Sequence, residues 1–300
     1  MKLHLGFIIL FFCALLNVPL SAQFEYQKEI NDWHAKRIKG LAGENGWLNL
    51  VGLYWLSEGK NSFGSGKNNK IVFPAGTIDA NAGYFERVGT TVKLVTSDNV
   101  DVKVNGITTK EAIIFHKDSL RPAVVSINNL RFTIIKREDK IGIRLRDLKS
   151  QALAEFKGVN RFPVDSAWNI QAVLQSEPQI KSIPITNVLG QTNEQKTPGK
   201  LWFSIGGKKY SLDALEEGEE LFIIFGDATS GETTYPSGRF LYAKKPGADG
   251  KTFIDFNKAY NPPCAFTDYA TCPLPPKQNI LSIAITAGEK NYGHHSAKGE

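Results

Sequence analysis

The sequence predicts a mainly β protein: an antiparallel sandwich or barrel-like fold of two packed β subdomains, preceded by a short N-terminal helix. Short β-branched or aromatic runs recur along most of the chain, and glycine- or asparagine-rich turns separate them. Helical periodicity is confined to residues 25–39 and to the segment LDALEE at 212–217. Many short strands at near-regular spacing are typical of antiparallel sandwiches and barrels.

The chain begins with a run that has the features of a secretory signal peptide. Lys2 precedes a largely apolar stretch from Leu3 to Leu16, and small residues follow at Ser21 and Ala22. The stretch is too short to span a bilayer. We therefore expect residues 1–22 to be removed by cleavage near Ala22 and the mature protein to be secreted or periplasmic, with no transmembrane segment.

Composition and charge narrow the class of partner. The chain is 42% hydrophobic and 22% charged, which excludes wholesale disorder. The formal net charge of +6 is spread over short pairs such as Lys136-Arg137 and Lys244-Lys245, without a run that would follow a phosphate backbone. We therefore expect no nucleic-acid partner.

An N-terminal helix is expected within residues 23–45, and EYQKEINDWHAKRIK at 25–39 is its clearest part. Glu29, Trp33 and Arg37 fall four residues apart on one face, and Ile30 lies beside them. The simplest interpretation is a helix laid across a sheet edge with Trp33 as its anchor. A face for binding a partner is the alternative.

The β-rich remainder is expected to divide into a first subdomain at 46–120 and a second at 121–291, with a flexible tail at 292–300. Asn105-Gly106 predicts a tight hairpin, because a type I′ turn needs two residues that tolerate positive φ. Strands are predicted at 71–73, 91–95, 100–104, 112–115, 123–127, 131–136, 141–146, 168–175, 181–186, 200–205, 221–225, 239–244, 252–256 and 280–286.

The first β block, GKNSFGSGKNNKIVF followed by TTVKLVTSDNVDVKVNG, resembles the strand layout of forkhead-associated sandwiches over about 60 residues. Phosphothreonine recognition in that family needs an arginine after the turn glycine and a Ser-x-x-His segment. Here Ser65 follows Gly64, and the histidine segment is missing. The resemblance therefore implies sandwich topology without phosphopeptide binding.

Several common catalytic motifs are missing from the sequence. It contains neither His-Glu-x-x-His nor Gly-x-Ser-x-Gly, and it has no Walker A loop and no dinucleotide fingerprint. His294-His295 could ligate a metal, but the pair lies in the polar tail. We therefore expect no metal and no cofactor, and we leave open whether the protein is an enzyme.

Polar residues beside strands of the C-terminal half are the best candidates for a site. We interpret them as a pocket for a small polar or carbohydrate-like ligand. One alternative is a hydrolase that uses paired carboxylates from Asp227, Glu232 or Asp255. Another is a structural envelope protein in which these residues satisfy loops and cross-strand pairs. The candidates are Asp227, Glu232, Tyr235, Arg239, Asp255, Asn257, Tyr260 and Asn261.

The same segments carry a specific resemblance. The runs FGDATSGETTYPSGRFLYA and IDFNKAYNPPCAFTDYATCPLPPKQNILSIAITAGEK, with the earlier GWLNLVGLYWLSEGKNSFGS, are similar to the family defined by domain of unknown function 1684 (DUF1684). The similarity extends from about Glu29 to Lys290. It implies one folded unit with the C-terminal loops in its core, and it brings no reaction, substrate or cofactor.

Two cysteines, Cys264 and Cys272, remain once the signal peptide with Cys13 is removed. An even count in an oxidising compartment predicts a disulfide. Closing so short a loop would contribute about 2–3 kcal/mol in the chain-entropy model. The flanking prolines remove amide donors and fix φ, so we expect an irregular, rigid loop that shapes a site and does not itself react.

Overall fold

A computed structural model describes residues 20–176, 179 and 181–293. It is mainly β with antiparallel sheets and a single long helix at the N-terminal side, which confirms the predicted fold class. Most of the predicted signal peptide, the pair His294-His295 and the rest of the tail after Gly293 lie outside the described residues. Within the described part of the chain, no helix is both long and apolar enough to cross a membrane.

Helix α1 covers Leu20–Ala42 and so begins three residues before the predicted start. Its first turn includes the predicted cleavage point near Ala22. The expected face is the one that packs: Ile30 is fully buried, and Trp33 lies 6.4 Å from the ring of Tyr260. Glu29 reaches the same surface through an ion pair with Lys258. The helix is therefore held against the C-terminal half of the chain.

The first β unit is a sandwich of two sheets. A six-stranded sheet has the order β1-β11-β10-β9-β6-β7, and a five-stranded sheet has the order β3-β2-β4-β5-β8. Aromatic side chains from both sheets meet in the core, where Phe85 lies 4.5 Å from Phe63 and 5.6 Å from Phe132. The strands are β1 (Leu50–Trp55), β2 (Gly59–Gly64), β3 (Ile71–Val72), β4 (Gly83–Val88), β5 (Thr91–Thr96), β6 (Lys103–Val104), β7 (Ile107–Thr108), β8 (Glu111–Phe115), β9 (Val125–Ile127), β10 (Leu130–Arg137) and β11 (Lys140–Asp147).

The Asn105-Gly106 hairpin forms as predicted between β6 and β7. Both residues have positive φ, 51° for Asn105 and 85° for Gly106. This is the pair of left-handed conformations that a type I′ turn requires.

The chain enters and leaves the sandwich at one place. The amide of Asp147 donates to the carbonyl of Asn49 at 2.8 Å, and the hydroxyl of Ser150 donates to the carbonyl of Leu48 at 2.8 Å. The sheet that contains β1 runs through to Asp147 because β11 pairs directly with β1. The sandwich therefore continues past the division at 120/121 that the sequence suggested.

The second β unit follows a short helix, α2 (Gln151–Glu155), that the sequence did not predict. Its six-stranded sheet has the order β18-β17-β16-β15-β12-β19, and the first and last strands lie beside each other, so the sheet nearly closes into a barrel. A two-stranded hairpin, β13-β14, forms a separate sheet and packs against the barrel through Ile183 and Ile185. The strands are β12 (Asn169–Gln175), β13 (Ser182–Thr186), β14 (Thr192–Lys196), β15 (Gly199–Ile205), β16 (Lys208–Glu217), β17 (Glu220–Phe225), β18 (Arg239–Lys244) and β19 (Lys251–Asp255).

Two predictions of secondary structure are wrong in this unit. LDALEE at 212–217 is part of β16, not a helical turn, because it pairs with β15 on one side and β17 on the other. Tertiary pairing thus overrides the helical propensity of leucine, alanine and glutamate. Residues 280–286 form no strand. This irregular segment packs against the barrel core through Leu281 and Ile285, and the bridge between Ile280 and Gly226 joins it to the barrel.

Candidate functional site

Asp227 and Arg239 form a buried ion pair. Arg239 Nη2 lies 2.8 Å from Asp227 Oδ2, and both side chains are fully buried. Asp227 Oδ1 accepts from the amide and hydroxyl of Thr229 at 2.9 and 2.6 Å, and from the amide of Ile285 at 3.1 Å. Both carboxylate oxygens are therefore committed to protein donors.

Arg239 also holds the irregular C-terminal segment. Its Nη2 donates to the carbonyl of Ile285 at 3.0 Å, and its Nη1 donates to the carbonyls of Ala287 and Glu289. Burial lowers the pKa of the guanidinium, and the charge of Asp227 opposes that shift. Gly238, with φ of 84°, lets β18 begin close to the Phe225 carbonyl, where a Cβ would collide. These contacts fix the structure of the segment rather than face a solvent-filled pocket.

Glu232 and Tyr235 lie elsewhere on the same loop. Glu232 is exposed, whereas Tyr235 is buried in a cluster with Leu41, Phe266 and other apolar residues. Burial raises the pKa of the Tyr235 hydroxyl. Neither side chain lines a cavity with Asp255.

Asp255 and Asn257 form a second polar cluster at the end of β19. Asp255 Oδ1 accepts from the hydroxyl of Tyr26 at 2.9 Å and from the backbone amide of Asn257 at 3.1 Å. The side-chain Nδ2 of Asn257 donates to the Tyr26 oxygen and to the carbonyl of Asp165. Burial, with the neighbouring charge of Asp255 as the next cause, raises the pKa of Tyr26. The cluster therefore joins α1 to the barrel.

Tyr260 and Asn261 belong to a third cluster, centred on Glu289 and Arg37. Glu289 is fully buried; its Oε2 accepts from the amide of Asn261 at 2.7 Å, and its Oε1 accepts from Arg37 Nε at 3.2 Å. Burial raises the pKa of Glu289, and Arg37 opposes the shift. Arg37 also donates to the Asn261 carbonyl and lies 4.7 Å above the ring of Tyr260.

A cavity of about 500 Å³ opens between α1 and the barrel where β18 and β19 meet, and we call it the aromatic cavity. Trp33 and Tyr26 come from the helix, Tyr242 from β18, and Asp255 and Tyr260 from the predicted segments. Tyr242 and Tyr260 are stacked, with ring centroids 6.3 Å apart and planes inclined by 12°. Burial raises the pKa of Tyr242 to about 12, with the carboxylate of Glu217 as a further cause.

The eight candidates thus fall into separate groups. Asp255 and Tyr260 share the aromatic cavity, and Asn257 supports Asp255 from behind. Asp227, Arg239 and Asn261 are buried in structural contacts. The three carboxylates proposed for hydrolysis do not line a common cavity, since only Asp255 faces the aromatic cavity.

Sequence reasoning missed Tyr26 and Tyr242 as lining residues, although it placed Trp33 on the right helix face. Tyr26 lies seven residues before Trp33, which is a helical spacing and was a usable signal. Tyr242 shares one face of β18 with Phe240, but the sequence does not reveal that β18 and β19 leave an opening. Only the three-dimensional closure of the sheet shows that.

Cys264 and Cys272 are joined as a disulfide, with their Cα atoms 6.1 Å apart. The loop between them contacts the sandwich, where the hydroxyl of Thr267 donates to the carbonyl of Leu50 at 2.9 Å. The loop therefore lies at the junction of the two β units. Among the described residues, no three side chains of histidine, cysteine, aspartate or glutamate gather as metal ligands.

The match to a protein family lies mainly in the second unit. Residues 154–290 match the family described as a protein of unknown function (DUF1684). An uncharacterized protein of Haloarcula marismortui, solved by solution NMR, is 30% identical; the alignment covers 47% of this chain and 80% of that chain, with a TM-score of 0.40. No curated protein matches.

Two forkhead-associated domain structures also show similarity. One is the FHA domain of FhaA in a complex, at 15% identity, 31% of this chain, 97% of that chain and a TM-score of 0.23. The other comes from a study of phosphothreonine-dependent FHA domain interactions. It is 17% identical, the alignment covers 31% of this chain and 92% of that chain, and the TM-score is 0.22. Structural similarities with TM-scores this low carry no inference about this chain.

The family match begins at residue 154, in α2, and leaves out α1 and the sandwich, so it is narrower than the resemblance expected from about Glu29. It includes the barrel, the disulfide loop and the buried Asp227–Arg239 pair. With this match and a relative that is 30% identical and covered over 80% of its length, the chain belongs to the DUF1684 family of proteins of unknown function.

Proposed function

We propose that this protein binds a small polar or carbohydrate-like ligand in the aromatic cavity and that it acts outside the cytoplasm. One observation carries the proposal. Asp255 and Tyr260, selected from the sequence as ligand-binding candidates, line the same cavity of about 500 Å³ as Trp33 and Tyr242. A cavity of that size that combines aromatic side chains with convergent polar groups is the usual form of a small-molecule site. Its lining also includes Lys244, Lys245, Lys251 and Lys258.

The chemistry of the walls favours a ligand with one apolar face and several hydroxyl groups. The rings of Trp33, Tyr242 and Tyr260 offer flat apolar surfaces with polar edges. Asp255 Oδ1 is occupied by Tyr26 and Asn257, but its Oδ2 has no hydrogen-bond partner within the described part of the chain, and Lys258 Nζ lies 3.7 Å away. This oxygen can accept a hydrogen bond from a ligand hydroxyl.

The test is a thermal-shift screen of the purified chain against monosaccharides, oligosaccharides and small polyols, followed by calorimetric titration of any hit. Trp33→Ala is expected to abolish binding, whereas Trp202→Ala, which removes a tryptophan on β15 outside the cavity, should leave it unchanged. Because Trp33 also anchors α1, Asp255→Asn is the second variant. It keeps an oxygen for Tyr26 and removes the free acceptor.

Binding that is equal in the wild type, Trp33→Ala and Asp255→Asn would refute the cavity as the site. A failure of the whole screen would refute the ligand class.

Export is part of the proposal and rests on the sequence of residues 1–22 and on the Cys264–Cys272 disulfide, which suits an oxidising compartment. Expression of the full chain in a bacterium, with fractionation and N-terminal sequencing, tests it. An extracytoplasmic product that begins near Gln23 is expected. A cytoplasmic product that retains Met1 would contradict it.

A further inference from the structure

A second cavity, of about 490 Å³, lies between the sandwich and the barrel, and we call it the arginine cleft. The Tyr242–Tyr260 stack lines both this cleft and the aromatic cavity. Three arginines from three different elements line the cleft: Arg37 from α1, Arg137 from β10 and Arg144 from β11.

These three arginines differ in how many ion-pair and hydrogen-bond partners they have. Arg37 is paired with Glu289. Arg137 donates to the Thr271 hydroxyl at 3.4 Å and to a backbone carbonyl at 3.1 Å. Within the described residues Arg144 forms no ion pair, and its buried Nε has no hydrogen-bond partner. Glu217 is the acidic side chain among the residues that line the cleft.

An arginine in this position is costly. Arg144 is partly buried, and burying a charge without an ion partner carries a desolvation penalty. Burial first, and then the neighbouring charges of Arg137 and Arg146, lower the pKa of Arg144 to about 10. A bound anion would supply the missing counter-charge.

The other wall of the cleft is aromatic. The Arg144 guanidinium lies 5.5 Å from the centre of the Trp47 ring, and Phe240 meets Tyr260 edge to face at 5.9 Å. Phe222 lies 5.0 Å from Phe240. This wall suits the apolar or planar body of a ligand whose anionic group reaches the arginines.

We propose that the arginine cleft binds an organic anion, whose carboxylate or phosphate group pairs with Arg137 and Arg144 while its ring or apolar body lies on the aromatic wall. Arginine suits this role because its planar donors match both oxyanions in a bidentate manner. The site is distinct from the aromatic cavity and does not depend on the function proposed for it. It would join the two β units through one ligand, since Arg137 and Arg144 belong to the sandwich and Tyr260 to the second unit.

The test uses calorimetric titration of the full chain at constant ionic strength with four probes: phenyl phosphate, benzoate, inorganic phosphate and uncharged phenol. Phenyl phosphate or benzoate should bind, and comparison of the two identifies the preferred oxyanion. Phenol should fail because it lacks the charge, and inorganic phosphate should bind more weakly because it lacks the ring.

Arg144→Gln and Arg137→Gln should each weaken binding by about tenfold or more, as expected for loss of a charge-assisted hydrogen bond. Arg121→Gln, at an exposed arginine of the sandwich, is the matched control and should leave affinity unchanged.

Thermal unfolding without any anion gives an independent readout. Arg144→Gln should melt at the same temperature as the wild type or higher, because it relieves an unpaired charge. Equal probe affinity in Arg144→Gln and the wild type, or no binding of phenyl phosphate and benzoate to the wild type at millimolar concentration, would overturn the proposal. A melting temperature for Arg144→Gln well below that of the wild type, in the absence of anions, would show that the arginine serves stability and would also overturn it.

Discussion

Replacing Arg239 with methionine tests whether the polar residues of the C-terminal half hold the fold or serve a site. The substitution keeps a long, flexible side chain and removes the guanidinium. It leaves Asp227 buried without its ion partner, and it leaves the carbonyls of Ile285, Ala287 and Glu289 without the donors that Arg239 provides.

The expected loss is large. Breaking a buried ion pair by removing one partner costs about 3–5 kcal/mol, because the remaining charge is uncompensated. The carbonyls of Ile285 and Ala287 add to the cost, since each loses a donor. We therefore expect Arg239→Met to lower the free energy of unfolding by at least about 3 kcal/mol. Asp227→Asn with Arg239→Met should cost less than the sum of the two single changes, by about 1–3 kcal/mol.

Urea denaturation followed by far-ultraviolet circular dichroism and tryptophan fluorescence measures both quantities. Arg121→Met, in an exposed position, is the control and should change the free energy of unfolding by less than about 0.5 kcal/mol. A loss below about 1 kcal/mol for Arg239→Met, or additive single changes, would refute the structural role, because a solvated or ligand-facing pair contributes that little.

Three further predictions concern the same half of the chain. Replacing Cys264 and Cys272 with serine should lower the free energy of unfolding by about 2–3 kcal/mol in urea, and two free thiols in the intact mass of the exported protein would contradict the disulfide. Burial raises the pKa of Tyr242 from 10.0 to about 12, so the contribution of Tyr242 to stability is complete below pH 10 and is lost as the pH rises towards 12. Tyr242→Phe should therefore lose less stability than the wild type in alkaline denaturation. The same pH profile in both proteins would argue against this contribution. Tyr26→Phe removes the hydrogen bond to Asp255, so it should cost about 1 kcal/mol and speed hydrogen exchange in α1; unaltered exchange would speak against docking through this contact.

Features that depend on residues close together in the chain could be predicted from the sequence. The helix face of Ile30 and Trp33 follows from helical spacing, and the Asn105-Gly106 turn follows from the φ angles that those residues tolerate. The strands at 131–136 and 141–146 were recovered because alternating burial leaves a period of two in the sequence.

Features that depend on contacts between residues far apart in the chain could not be predicted from the sequence. LDALEE has the composition of a helix but is a strand because two neighbours pair with it. Asp227 follows an apolar strand and Asp255 ends one, so the sequence alone did not distinguish them. In the structure Asp227 is paired with Arg239, whereas Asp255 faces a cavity. In the sequence, Arg144 is an ordinary polar residue in an alternating strand. Its position in a cleft depends on the second unit that packs opposite it, which the sequence does not show.

The chain enters the sandwich at Asn49 and leaves it at Asp147, and these two residues are hydrogen-bonded to each other. The sandwich is therefore an inserted domain between α1 and the barrel. The helix reaches the barrel by contacts such as Tyr26 to Asp255, which do not pass through the sandwich. A different module could therefore occupy the same two connection points without disturbing the aromatic cavity, but it would replace the wall that carries Arg137 and Arg144. The chain thus separates a cavity formed by its helix and barrel from a cleft that takes one of its walls from the inserted unit.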